Sequence, residues 1–77
     1  MPFDSHERVF EVEGYDVAVL CVQHGPGGAW EYMVDVLRDG VAKLPRRRSH
    51  DQVWPTCEEA ERQGYEVGRQ LVAQLAE

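Results

Sequence analysis

Residues 55–75, PTCEEAERQGYEVGRQLVAQL, read as one amphipathic helix, and the rest of the fold follows from it. Thr56 and Glu59 form a T-x-x-E capping box, in which the threonine hydroxyl satisfies a free N–H of the first turn. Glu58, Glu59 and Glu61 put negative charge at the positive end of the helix dipole. Beyond the cap, Cys57, Ala60, Gly64, Val67, Gly68, Leu71, Val72 and Leu75 recur at three- and four-residue steps, which is one apolar stripe. Glu61, Arg62, Glu66, Arg69 and Gln70 form the polar face. Ala60, Gly64 and Gly68 are small and four apart. A glycine inside a helix costs about 1 kcal/mol against alanine, so two on the buried side imply close approach to something bulky.

The partner of that stripe lies upstream. Asp39-Gly40 is a two-residue hairpin signal between strands Trp30–Arg38 and Val41–Leu44. Tyr15–Gln23 is a valine-rich strand, joined to the next by His24-Gly25-Pro26-Gly27-Gly28, a run that cannot continue pairing. Arg8–Val12 adds a short leading strand that ends at Glu13-Gly14. The expected fold is α+β: a three- or four-stranded antiparallel meander with one C-terminal helix packed on one face. Residues 1–77 are read as a single domain, with 1–6 as a flexible start and 45–55 as a basic loop.

Period-2 alternation assigns the faces. Tyr15, Val17, Val19 and Cys21 share a side, as do Trp30, Tyr32, Val34 and Val36, and these are placed under the helix. Trp30, Tyr32 and Tyr15 are expected to fill the space left by Gly64 and Gly68. One helix cannot cover both faces. Leu20, Val22, Met33 and Leu37, with Ala18 beside them, are therefore expected on the uncovered side. A contiguous apolar patch there marks a protein partner or a homodimer contact. Against it stands the plain reading of a modest patch diluted by Asp16, Glu31 and Asp35.

Charge is distributed in blocks. The chain of 77 residues carries a formal net charge of -6. Residues 1–37 hold seven acids and one arginine, and residues 51–77 hold six acids and two. Between them lie Arg38, Lys43, Arg46, Arg47 and Arg48 against Asp39 alone. Arg46, Arg47 and Arg48 are the one feature suited to phosphate, which makes nucleic-acid binding the alternative function. A sequence pI of about 4.9 argues against it, because nucleic-acid binders carry a basic face.

Composition bounds the remaining classes. Leu, Val and Phe supply 18 residues and Ile none, about 23% of the chain, above the roughly 20% level of disordered proteins. No apolar run approaches the ~20 residues of a membrane span, and the first residues lack a secretory pattern, so a cytoplasmic protein is expected. Seven Arg against one Lys, with no Ile or Asn, point to a GC-rich bacterial genome. Cys21 and Cys57 read as free thiols used as small hydrophobes, with one bridge between them as the alternative.

No catalytic constellation emerges. His6, His24 and His50 are not at metal-ligand spacing from one another. Ser5-His6 and Ser49-His50 are chain neighbours, not dyads. Gly25-Pro26-Gly27-Gly28 lacks the Lys-Ser/Thr and helix of a phosphate loop. A non-enzymatic protein without metal or cofactor is expected.

The order Gly14-Tyr15, strand, Gly28-Ala29-Trp30, strand, Arg38-Asp39-Gly40, short strand, and Pro55-Thr56-Cys57-Glu58-Glu59-Ala60 opening a helix with Gly64 and Gly68 resembles small uncharacterised bacterial proteins. The resemblance covers residues 14–75 and implies a strand meander capped by a helix, with no activity attached. The order is also similar to a double-stranded-RNA-binding domain without its first helix. Those domains open their last helix with basic residues, whereas this one opens with Glu58, Glu59 and Glu61.

Overall fold

The computed structural model describes residues 4–25, 27–49 and 52–75. Residues 1–3 of the expected flexible start, Pro26 of the glycine run, and His50 and Asp51 of the basic loop lie outside the described residues. The chain forms β1 (Asp4–Val12), β2 (Tyr15–Gln23), β3 (Trp30–Arg38), β4 (Val41–Ala42), β5 (Arg47–Arg48) and α1 (Cys57–Leu75). The sheet is antiparallel in the order β1-β2-β3-β4, and β5 pairs with β3 beyond β4. The α+β meander with one C-terminal helix is the observed fold.

Two turns set the registers. Glu13 and Gly14 have φ of 49° and 85°, and Asp39 and Gly40 have 54° and 79°. Positive φ at both central residues is the type I′ geometry, whose twist matches that of the flanking strands. The first turn fixes Val12 opposite Tyr15 and carries pairing back to Asp4 opposite Gln23. β1 therefore begins at Asp4, four residues earlier than the alternation at Arg8–Val12 indicates. Its inward residues His6 and Arg8 lie at the margin of the helix, so charged residues occupy both faces and the apolar period fades.

The segment 45–55 is not all loop. Arg47 and Arg48 pair with Val34 and Met33. Farther along, Trp30 and Trp54 exchange two backbone hydrogen bonds, Trp30 N–H to Trp54 O at 2.8 Å and Trp54 N–H to Trp30 O at 2.9 Å. The outer edge of β3 is thus closed in three short pieces.

α1 starts as its cap dictates, with the Glu59 N–H donating to Thr56 Oγ1 at 3.2 Å. The helix lies along β2 and β3. A Cβ on Gly64 would sit 2.7 Å from Val19 Cγ1 and 3.3 Å from the Tyr32 ring, and one on Gly68 would press into Val17 Cγ1 and approach Val34 Cγ1 at 3.3 Å. The glycines therefore accommodate valines and Tyr32, not Trp30 and Tyr15. Trp30 lies at the end of the sheet, 5.8 Å from the His6 ring, and Tyr15 carries the Arg38 guanidinium over its ring at 5.1 Å. Val17, Val19, Cys21 and Val72 have no exposed surface, and Val34 and Val36 almost none. Phe10 against Tyr65 at 4.8 Å, and Arg8 with Glu61 at 3.2 Å, fasten the helix to β1.

Both cysteines are free, and the Cys21 thiol donates to the Cys57 carbonyl at 3.7 Å. Burial, reinforced by the Cys57 thiol and by Glu61 and Glu58, pushes the Cys21 thiol up to about 12. In the unfolded chain it ionises at roughly 8.5–9, so above that pH the unfolded state binds fewer protons and stability falls as pH rises. Thermal melts are expected to lose stability from pH ~9 upward, and Cys21→Val to flatten that slope. An unchanged slope in the variant would assign the alkaline loss to other groups.

Candidate functional site

The face of the sheet away from α1 is a grid read directly from the registers. One row across the strands is Glu7, Leu20, Met33 and Arg48. On one side of it lie Ser5, Val22 and Glu31. On the other lie Val9, Ala18 and Asp35, and then Glu11, Asp16, Leu37 and Ala42. Side chains opposite one another in an antiparallel pair share a face, so each row is a line of neighbours.

Of the residues singled out in the sequence, Leu20, Val22 and Met33 come together. Leu37 stands apart from them on β3, beyond Asp35, beside Asp16 and Ala42. Val22 is already buried at 5% exposure, while Leu20, Met33 and Leu37 are half-buried. The sequence reading missed Val9, which is 56% exposed and extends the apolar area through Ala18. It also missed Glu7. The signal was available, because a two-residue turn at Glu13-Gly14 places residue 7 opposite residue 20.

The arginine run divides by the same alternation. Arg46 binds Asp35 through Nε at 3.1 Å and Nη2 at 2.9 Å, and its Nη1 reaches Met33 Sδ at 3.5 Å. It therefore lies over the helix-free face. Arg48 reaches Glu31 at 3.7 Å, and the same carboxylate holds His24 at 3.2 Å. Glu31 is 14% exposed, so it presents little charge to a partner. Arg47 makes no ion pair among the described residues. Its register with Val34 puts it on the helix side, where its charge opposes the rise that burial imposes on the Tyr32 phenol.

β5 is held by Ser49. The Ser49 N–H donates to Tyr32 O at 3.1 Å, and Ser49 Oγ accepts the Tyr32 N–H at 3.3 Å. This buried serine positions Arg48, yet in the sequence it stood out only as the neighbour of His50. At the β1 side of the face, Glu7, Glu11 and Asp16 make no ion pair among the described residues. The face consequently runs from acid on β1, through an apolar middle, to arginine on the β5 edge.

Other chemistry is sparse. Among the described residues no group of three or more His, Cys, Asp or Glu side chains is placed to hold a metal. An open depression of about 520 Å³ is lined by Gln52, Val53, Trp54 and Gln63, none of which titrates. Among the described residues no helix is long and apolar enough to cross a membrane.

A family described as Domain of unknown function (DUF6566) matches residues 5–76. No curated protein and no solved structure matches the chain.

Proposed function

Since the chain belongs to the DUF6566 family, a domain of unknown function, we propose its role from the surface it presents: a non-enzymatic protein-interaction module of the bacterial cytoplasm. The contact surface is the helix-free face of the sheet. The observation that carries this reading is the cluster of Leu20, Val22 and Met33, extended by Ala18 and Val9, opposite the helix. Isolated exposed apolar residues are ordinary, but a clustered patch rimmed by charge is the layout of a protein contact. Free thiols and the arginine-rich, lysine-poor composition support the compartment and the source.

The test is site-specific photo-cross-linking in the cell, with a benzophenone side chain at position 20 and, as control, at Arg62 on the exposed side of α1. A discrete adduct from position 20 and none from position 62 is expected, and mass spectrometry then identifies the second chain. Equal adducts from both, or none, would remove the reading.

Nucleic-acid binding through Arg46, Arg47 and Arg48 remains the second reading. The ion pairs of Arg46 with Asp35 and Arg48 with Glu31 leave Arg47 as the member with no carboxylate partner among the described residues. Titration with mixed-sequence RNA and DNA at low salt separates the two, because counterion release makes binding strongest there.

A further inference from the structure

We infer that the partner of the helix-free face is a second copy of this chain, docked face to face about a two-fold axis that runs parallel to the strands. The inference rests on the reading of that face as a contact surface and adds its occupant and geometry.

Across the sheet, Glu7, Leu20, Met33 and Arg48 read acid, apolar, apolar, base. A two-fold along the strands reverses this order in the facing sheet. Glu7 then stands over Arg48 of the other copy, Leu20 over Met33, Met33 over Leu20, and Arg48 over Glu7. Every position in the row meets its complement, as an isologous interface requires. In the neighbouring row Val9 faces the aliphatic stem of the other copy's Arg46, and Ala18 faces Asp35, whose charge the Arg46 guanidinium offsets from its place over Asp35 and Met33. A two-fold across the strands would instead stack β1 on β1 in the reverse direction and bring Glu7 and Glu11 of one copy against the same acidic strand of the other. Packed sheets keep their strands within about 30° of alignment, which both arrangements satisfy, so the order of charges across the row decides between them.

Size sets the strength. Three nine-residue strands span roughly 30 Å by 15 Å, so two faces bury about 1,000 Å² together, near the lower bound for a specific interface. The dimer is weak and reversible.

The decisive experiment is sedimentation equilibrium of the full chain from micromolar to near-millimolar concentration. Wild type is expected to dimerise reversibly, and Leu20→Lys/Met33→Lys to remain monomeric. Glu7 and Arg48 of one copy are about 14 Å apart, three strand spacings, so they do not pair with each other. Glu7→Arg alone and Arg48→Glu alone are each expected to weaken the dimer roughly tenfold or more, since two pairs turn repulsive. An equimolar mixture of the two variants restores opposite charges at both ends and is expected to dimerise like wild type. In case Arg48→Glu loses its fold beside Glu31, Arg48→Lys keeps the charge, and carbodiimide coupling of that variant is expected to join positions 7 and 48 of two chains. A wild-type chain monomeric throughout overturns the second copy as partner, while the cross-linking from position 20 still judges the face itself. A dimer that survives Leu20→Lys/Met33→Lys overturns both. A dimer lost on either single charge change but not restored by mixing, or coupled chains without the 7–48 link, overturns the axis.

Discussion

Gly68→Leu is expected to abolish cooperative folding. A Cβ at this position already presses into Val17 Cγ1 and comes within 3.3 Å of Val34 Cγ1, and both valines are buried. Their χ1 angles are stiff, and the strands that carry them are paired on both sides, so neither can yield. A leucine fits only if the helix lifts away, which would hydrate Val17, Val19, Val34, Val36 and Val72. Full burial of one such side chain is worth roughly 1.5–3 kcal/mol. A chain of 77 residues holds only about 4–12 kcal/mol in total, so exposing a few valines exhausts it. Gly68→Ala is the graded version. It gains about 1 kcal/mol of helix propensity and loses about 1–3 kcal/mol to overpacking, a net loss of up to about 2 kcal/mol. Gln70→Leu, two residues on and exposed, should stay within about 0.5 kcal/mol of wild type. Urea titration followed by far-UV circular dichroism reads all three. A cooperative transition in Gly68→Leu near the wild-type midpoint would show that helix and sheet are not in such close contact.

Tyr32→Ala is expected to cost about 3–5 kcal/mol and to lower Tm by roughly 12–40 °C. The ring lies beneath Gly64 and stacks on Trp54, with centroids 5.3 Å apart and planes 27° from parallel. Truncation opens a cavity at the junction of sheet, helix and the 52–54 strap. It leaves the backbone bonds to Ser49 in place, so the loss reports packing rather than the pairing of β5. Tyr32→Phe keeps the ring and should cost under about 1.5 kcal/mol. Thermal melts of the two variants check this, and a small, equal effect in both would mean that the Tyr32–Trp54 layer contributes little.

The parts of the molecule readable from residues alone are those with a strong local rule. The helix announced itself through Thr56, its acidic first turn and its stripe, and β2 and β3 through apolar, valine-rich runs bounded by turn residues. The two faces of those strands were therefore legible, and with them Leu20, Val22 and Met33. What was not legible depends on long-range pairing. No local signal makes Arg47-Arg48 a strand; they pair because Ser49 binds Tyr32 through both backbone and side chain. The filling beneath the glycines was misassigned to Trp30 and Tyr15, because bulk alone suggested aromatics. Helix position along the strands, not side-chain size, decides which residues meet Gly64 and Gly68, and the valines of β2 were the ones in place. The full length of β1 was hidden by its charged inner residues, although its closing turn contained the register.

The order of elements along the chain also bears on synthesis. Val17, Val19, Val34 and Val36 are covered by a helix that begins only at Cys57, after all five strands. A nascent chain that ends before α1 has all the strand residues but none of the cover that their most apolar side requires. Paired strands of this kind gain little until the helix packs, so the nascent chain stays unfolded, or chaperone-bound, until α1 emerges. Folding of this domain therefore waits for α1, and a chain cut before Cys57 is expected to stay unfolded and protease-sensitive.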